Sequence, residues 1–72
     1  MSFQAYLYNI QKQTGLSPSE FMTKAEEKGF LQNGQLTETV KATEITNWLK
    51  ADFDLGHGHA MAMYAYFKGK RV

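Results

Sequence analysis

The residues of this 72-residue chain best suited to chemistry sit together in Gly56-His57-Gly58-His59. Neutral imidazole is the commonest metal ligand near physiological pH, so two histidines around a glycine raise the question of a metal. Two positions apart, they diverge on a regular helix, and only a turn could aim both at one ion. Further ligands would have to come from Glu44, Asp52 or Asp54, or from a second chain. The spacing is that of no zinc module. No metal ligands and no cofactor are therefore assigned, and a histidine-based metal site stands as a third alternative.

The same stretch has a second reading, as a phosphate cradle. Gly56-His57-Gly58 with Ala62 four residues on gives G-x-G-x-x-x-A between two helices. That spacing is similar to the helix-hairpin-helix module of DNA-repair and replication proteins, in which glycines turn the chain tightly. They also bring a phosphate backbone to the amides that open the second helix. Such a contact is independent of base sequence and sensitive to salt. The module usually carries an inward-facing aliphatic residue between its glycines, where this chain has His57. Plain turn chemistry is the structural alternative.

Catalysis is not expected. The chain has no cysteine, no serine stands in a nucleophile elbow, and the carboxylates are scattered as on solvated helix faces. A histidine general base needs a nucleophile and an enclosed pocket, for which 72 residues leave little volume. The lack of cysteine also excludes disulfides and thiolate zinc sites. With four methionines and no signal-like start, it points to a cytoplasmic protein. No apolar run approaches the roughly 20 residues of a membrane span, so no membrane is expected among its partners.

The net charge of +1 is unevenly spread. Residues 1–60 hold five lysines against seven carboxylates, and the last twelve hold Lys68, Lys70 and Arg71 against none. A basic tail can touch phosphate or an acidic partner, or it can be a solubilising, frayed end. At 1.5 Å per residue it lies about 15 Å from the glycine pair along the last helix, too far to reinforce a phosphate site there.

Four helices must position these groups. Phe3, Tyr6, Leu7 and Ile10 form one apolar stripe over about Phe3–Gln13, with Ser2 as cap and Gly15 as stop. Tyr8 points away from that stripe as an exposed aromatic. Ser17-Pro18-Ser19-Glu20 is a capping box with proline at the first helical position, stapled by Leu16 and Phe21. The helix it opens turns Phe21, Met22 and Ala25 inward and stops at Gly29. Residues 30–41 read as a connector anchored by Phe30, Leu31 and Leu36. Asn33-Gly34 is a good turn, but its flanks are too short and polar to favour a hairpin. A third helix over Ala42–Asp52 buries Ile45, Trp48 and Leu49, with Phe53 close behind. The glycine-rich turn Asp54–His59 then feeds a fourth helix reaching Lys68, with Gly69 as its stop.

That fourth helix is hydrophobic at every position from Ala60 to Phe67. At about 100° per residue, Ala60, Met63, Tyr64 and Phe67 share one side, and Met61, Ala62, Ala65 and Tyr66 the other. A helix that is apolar all round is normally buried all round. Either the other three helices enclose it, or its second face meets another molecule, with Ala62 and Ala65 allowing close approach.

Trp48-Leu49-Lys50 followed by Leu55-Gly56-His57-Gly58-His59-Ala60 resembles the closing block of a small bacterial family, the domain of unknown function 4287. The resemblance extends over Ser2–Leu7 and over the Thr14–Pro18 helix start, so it covers nearly the whole chain. Asp54 stands where the family would have glycine; if that position is left-handed, aspartate tolerates it better than most residues. The resemblance implies no activity, cofactor or binding residue. It implies a domain that stands alone or is appended to others.

The expectation is an all-α chain, a compact bundle of four short helices forming one domain over residues 1–72. Its core would hold Phe3, Leu7, Ile10, Phe21, Ala25, Ile45, Trp48, Leu49, Tyr64 and Phe67. The leading functional reading is a non-enzymatic interaction module for an unknown protein partner or a second copy. Its contacts would be Gly56, His57, Gly58, His59, Met61, Ala62 and Tyr66. Phosphate-backbone binding over Gly56–Ala62 is the alternative.

Overall fold

The computed structural model describes residues 2–72. Along them it places α1 (Phe3–Thr14), α2 (Pro18–Glu27), β1 (Leu31–Gln32), β2 (Gln35–Leu36), α3 (Ala42–Phe53) and α4 (His57–Phe67). The chain is mostly α-helical, as its apolar spacing requires. Its Cα radius of gyration of 11.0 Å matches the about 11 Å of a close-packed chain of this length.

The starts of α1 and α2 are set by side chains that satisfy orphan amides. The Ser2 hydroxyl accepts from the Ala5 N–H at 3.2 Å, and left-handed Gly15 closes α1. At α2 the capping box is complete. Ser17 Oγ accepts from the Glu20 N–H at 3.2 Å, and Glu20 Oε1 accepts from the Ser17 N–H at 2.9 Å. The bond from the Ser17 backbone N–H first, then a hydrogen bond between the Ser17 hydroxyl and the carboxylate itself, and the nearby Lys24 charge hold the Glu20 carboxyl below its ordinary value of 4.5.

Two expectations need correction. Residues 31–36 do form a hairpin, with Leu31 opposite Leu36 and Gln32 opposite Gln35. The turn decides it: Asn33 (φ 56°) and Gly34 (φ 77°) both take the left-handed region, the geometry whose twist matches two antiparallel strands. Thr37 N–H to the Phe30 carbonyl, 3.1 Å, extends the pairing outward, and Leu31 is buried against the core. Short polar flanks did not matter because the turn and one buried leucine suffice. The second correction concerns Asp54–His59. The connection is only Asp54 to Gly56, and α4 already begins at His57. Asp54 supplies the reversal, left-handed at φ 56° with its N–H on the Leu49 carbonyl, and Leu55 then turns inward.

α4 runs against α1, α2 and α3, and this settles most of its two-sided apolarity. Of its apolar run, Ala60, Ala62, Met63 and Phe67 are buried, Tyr64, Ala65 and Tyr66 half-buried, and Met61 alone is exposed. Of the expected core, Phe3 and Tyr64 are half-buried at its edge and the other eight residues are inside; Leu31, Leu55, Ala60 and Met63 join them. On the other side of the molecule, rings pack edge to face in a chain. Phe30 meets Trp48 at 5.5 Å, Trp48 meets Phe53 at 5.3 Å, and Phe53 meets Phe21 at 4.9 Å. Each such pair adds about 0.5–1.5 kcal/mol beyond the area it buries. Buried Thr46 turns its hydroxyl back to the Ala42 and Thr43 carbonyls, so its polarity carries no penalty.

Two measurements check this account. Because the folded state holds Glu20 below its unfolded value, the unfolded chain takes up its proton first as pH falls. That part of the stability is therefore complete above pH 4.5 and lost as pH drops through the folded value. Urea denaturation from pH 7 to pH 3 should show a shallower decline in Glu20→Gln than in the parent; parallel curves would remove the capping box from the account. At the left-handed Asp54, Asp54→Gly should be more stable than Asp54→Ala by about 1 kcal/mol in the same assay.

Candidate functional site at the seam of α1 and α4

The expected contact residues do not form one patch. Gly56 caps α4 in an extended conformation (φ −70°, ψ 168°), and no side chain caps that helix. His57, its first residue, is exposed. Gly58 lies in the first helical turn without a left-handed φ. Neither glycine is therefore needed to bend the chain, contrary to the tight glycine turn expected there. His59 is half-buried, its ring edge-on to Tyr6 with centroids 5.1 Å apart and planes at 77°. The two imidazoles point about 200° apart on the helix. Among the described residues no group of three or more histidine, cysteine, aspartate or glutamate side chains could hold a metal ion.

Gly58, Met61 and Ala62 are brought together with Phe3, Tyr6, Ala65 and Lys70 around a shallow groove of about 410 Å³ between α1 and α4. A Cβ added at Gly58 would stand 3.6 Å from the Tyr6 ring. Small residues at 58, 62 and 65 keep the floor low, while Met61 is 41% exposed. Tyr66 belongs to a different place, on the other flank of α1 with Gln4, Leu7, Tyr8 and Arg71. There the Arg71 guanidinium lies 3.7 Å from the Tyr66 ring centroid. Tyr8, expected to be exposed, is 66% exposed.

Sequence reasoning missed Lys70. Measured along the helix it is far from Gly58, yet the chain after α4 does not continue the helical line. Gly69 is left-handed at φ 112°, and the Lys70 N–H returns to the Ala65 carbonyl at 3.0 Å. The Gln4 side-chain amide donates to the Arg71 carbonyl, tying the tail to α1. Lys70 Nζ consequently sits 5.2 Å from the Phe3 ring centroid and borders the same groove as Gly58. The tail is docked, not frayed. The only sequence signal for this was Gly69, read there as a helix stop.

The helix-hairpin-helix comparison fares less well. His57 does not turn inward; Leu55, ahead of the first glycine, takes that role. Exposed Asp54 adds a negative charge to the turn that leads into α4. No helix among the described residues is long and apolar enough to cross a membrane.

The family model of the domain of unknown function DUF4287 matches residues 2–69, and the chain belongs to that family. No curated protein and no solved structure matches it.

Substitutions at the Tyr6 contact check the seam's packing. Gly58→Ala should raise stability by about 0.5 kcal/mol, since helical alanine is favoured and the Tyr6 ring leaves room for a methyl. His59→Ala should lower it by about 0.5–1 kcal/mol through loss of the ring pair, with His57→Ala near neutral. A clear loss of stability in Gly58→Ala, by thermal or urea denaturation, would contradict this packing.

Proposed function

We propose that this DUF4287 domain is a non-enzymatic interaction module that receives a segment of another protein at the seam between α1 and α4. Partial exposure of Met61 above a floor of Gly58, Ala62 and Ala65 supports this reading. A flexible thioether beside small residues can repack around an apolar side chain, as methionine-lined contact surfaces do. The groove is open and shallow, which suits a side chain or a short helix more than a small substrate needing burial on all sides.

A second copy is the less favoured occupant. A two-fold dimer would place the same surface on both sides of the interface, so Lys70 and its neighbours would oppose their own counterparts. Phosphate binding at Gly56–Ala62 has only the glycine spacing and the uncapped start of α4 in its favour; neither Gly56 nor Gly58 takes a conformation reserved for glycine, and Asp54 sets a carboxylate in the turn that leads there.

A photo-crosslinking residue at position 61, with the chain produced in its native host, tests the proposal. Light should give discrete higher-mass adducts from position 61 and none from the same residue at exposed Glu26 on α2. Equal labelling from both positions would sink it, and an adduct at twice the chain mass alone would replace the foreign partner with a second copy.

A further inference from the structure

The two halves of the molecule carry opposite charge. α1, α4 and the tail contain Lys12, Lys68, Lys70 and Arg71 and no aspartate or glutamate; all seven carboxylates lie within residues 15–56. With no carboxylate on their own elements, three of these cations rest on rings. Lys68 Nζ is 5.6 Å from the Tyr64 centroid, Lys70 Nζ 5.2 Å from Phe3, and the Arg71 guanidinium 3.7 Å from Tyr66. Arg71 is further committed, since its Nη1 donates to the Tyr66 and Lys70 carbonyls at 2.8 Å each. Lys70 is different. Its ammonium has a ring on one side, makes no hydrogen bond with the described residues, and borders the apolar groove. A ring face is worth only about 0.5–1 kcal/mol to an exposed ammonium, so a carboxylate can still be added to it.

Resting on the seam reading above, we infer that the segment received there is acidic. An apolar side chain seats against Met61, Ala62 and Ala65, and a carboxylate close to it in sequence meets Lys70. Charge of this kind speeds encounter and selects the partner while the apolar anchor holds it. The alternatives fit less well. A single-stranded nucleic acid needs bare ring faces for its bases, but Phe3 is covered by Lys70 and Tyr6 is engaged edge-on with His59. A second copy offers carboxylates only on its other half, and that half has no exposed large apolar side chain. The three among the described residues, Tyr8, Met61 and Val72, all belong to α1, α4 or the tail.

The test titrates the full chain, labelled at amides and methionine methyls, with four probes. These are a 12-residue glutamate-rich peptide with one central leucine, the same peptide with lysine for glutamate, the acidic peptide with serine for leucine, and a thymidine 12-mer. The acidic leucine peptide should move the Met61 methyl and the Gly58 and Ala62 amides, and should bind at least fivefold more tightly than the other three. Lys70→Glu, at an exposed position outside the helices, should keep the fold by circular dichroism. It should weaken that peptide about tenfold, and salt from 50 to 300 mM should weaken it several-fold in the parent chain. Equal binding of the lysine peptide at Met61 would overturn the acidic preference and leave the seam intact. Silence at Met61 with every peptide at millimolar concentration would overturn the seam itself, and tighter binding of the oligonucleotide would overturn both.

Discussion

One helix sets the terms for the rest. α4 presents hydrophobic side chains in every direction from Ala60 to Phe67, and exposed apolar area in water is unfavourable by about 25 cal/mol per Å². A 72-residue chain has three other helices with which to cover it, and all three pack on it. The hairpin is a patch on the same core, with Leu31 buried and Leu36 leaning in. What three short helices leave uncovered is one methionine, Met61, with exposed Gly58 near it. The proposed contact surface is thus a remainder of the burial problem, which ties the fold and the functional reading to the same cause.

Much of this was legible in the residues, for local reasons. Ser17, Pro18 and Glu20 specify a helix start through bonds spanning three residues, and Gly15 and Gly29 end helices where only glycine is at ease; such features need no tertiary context. The even apolarity of α4 announced burial without saying by what. The hairpin was harder to read, because its four strand residues include two glutamines and its stability comes from a leucine whose burial depends on distant helices. The start of α4 was misplaced for the opposite reason. Two glycines looked like a turn, yet the reversal falls on Asp54, a residue that enters the left-handed region less often, and the glycines follow it into the helix. Lys70 was out of reach of any linear reading, since its place depends on the chain doubling back after Gly69.

The two halves of the molecule are held by different chemistry. Around α2, α3 and the hairpin, aromatic rings meet edge to face in an unbroken series from Phe30 to Phe21. Around α1 and α4, apart from the Tyr6–His59 pair, aromatic rings meet cations. The first arrangement carries no charge and is insensitive to salt; the second sits at the surface, where ammonium and guanidinium groups keep most of their hydration. A domain divided this way has one side closed by ring-on-ring packing and another whose surface cations keep their hydration.

The glutamine contacts at either end of α1 have a topological consequence. Gln4 reaches the Arg71 carbonyl, and Gln13 reaches the Asp54 carbonyl at 3.0 Å, so the opening helix is pinned to segments 67 and 41 residues away. The start of α1 and the chain's tail therefore lie together, joined at Gln4 and Arg71. Any polypeptide attached before residue 2 or after residue 72 would leave from that shared doorway, beside Tyr8 and Tyr66. Phe3 and Lys70, which border the seam around Gly58 and Met61, lie next to that exit, and a domain whose ends meet in this way can be spliced into a loop of a larger protein.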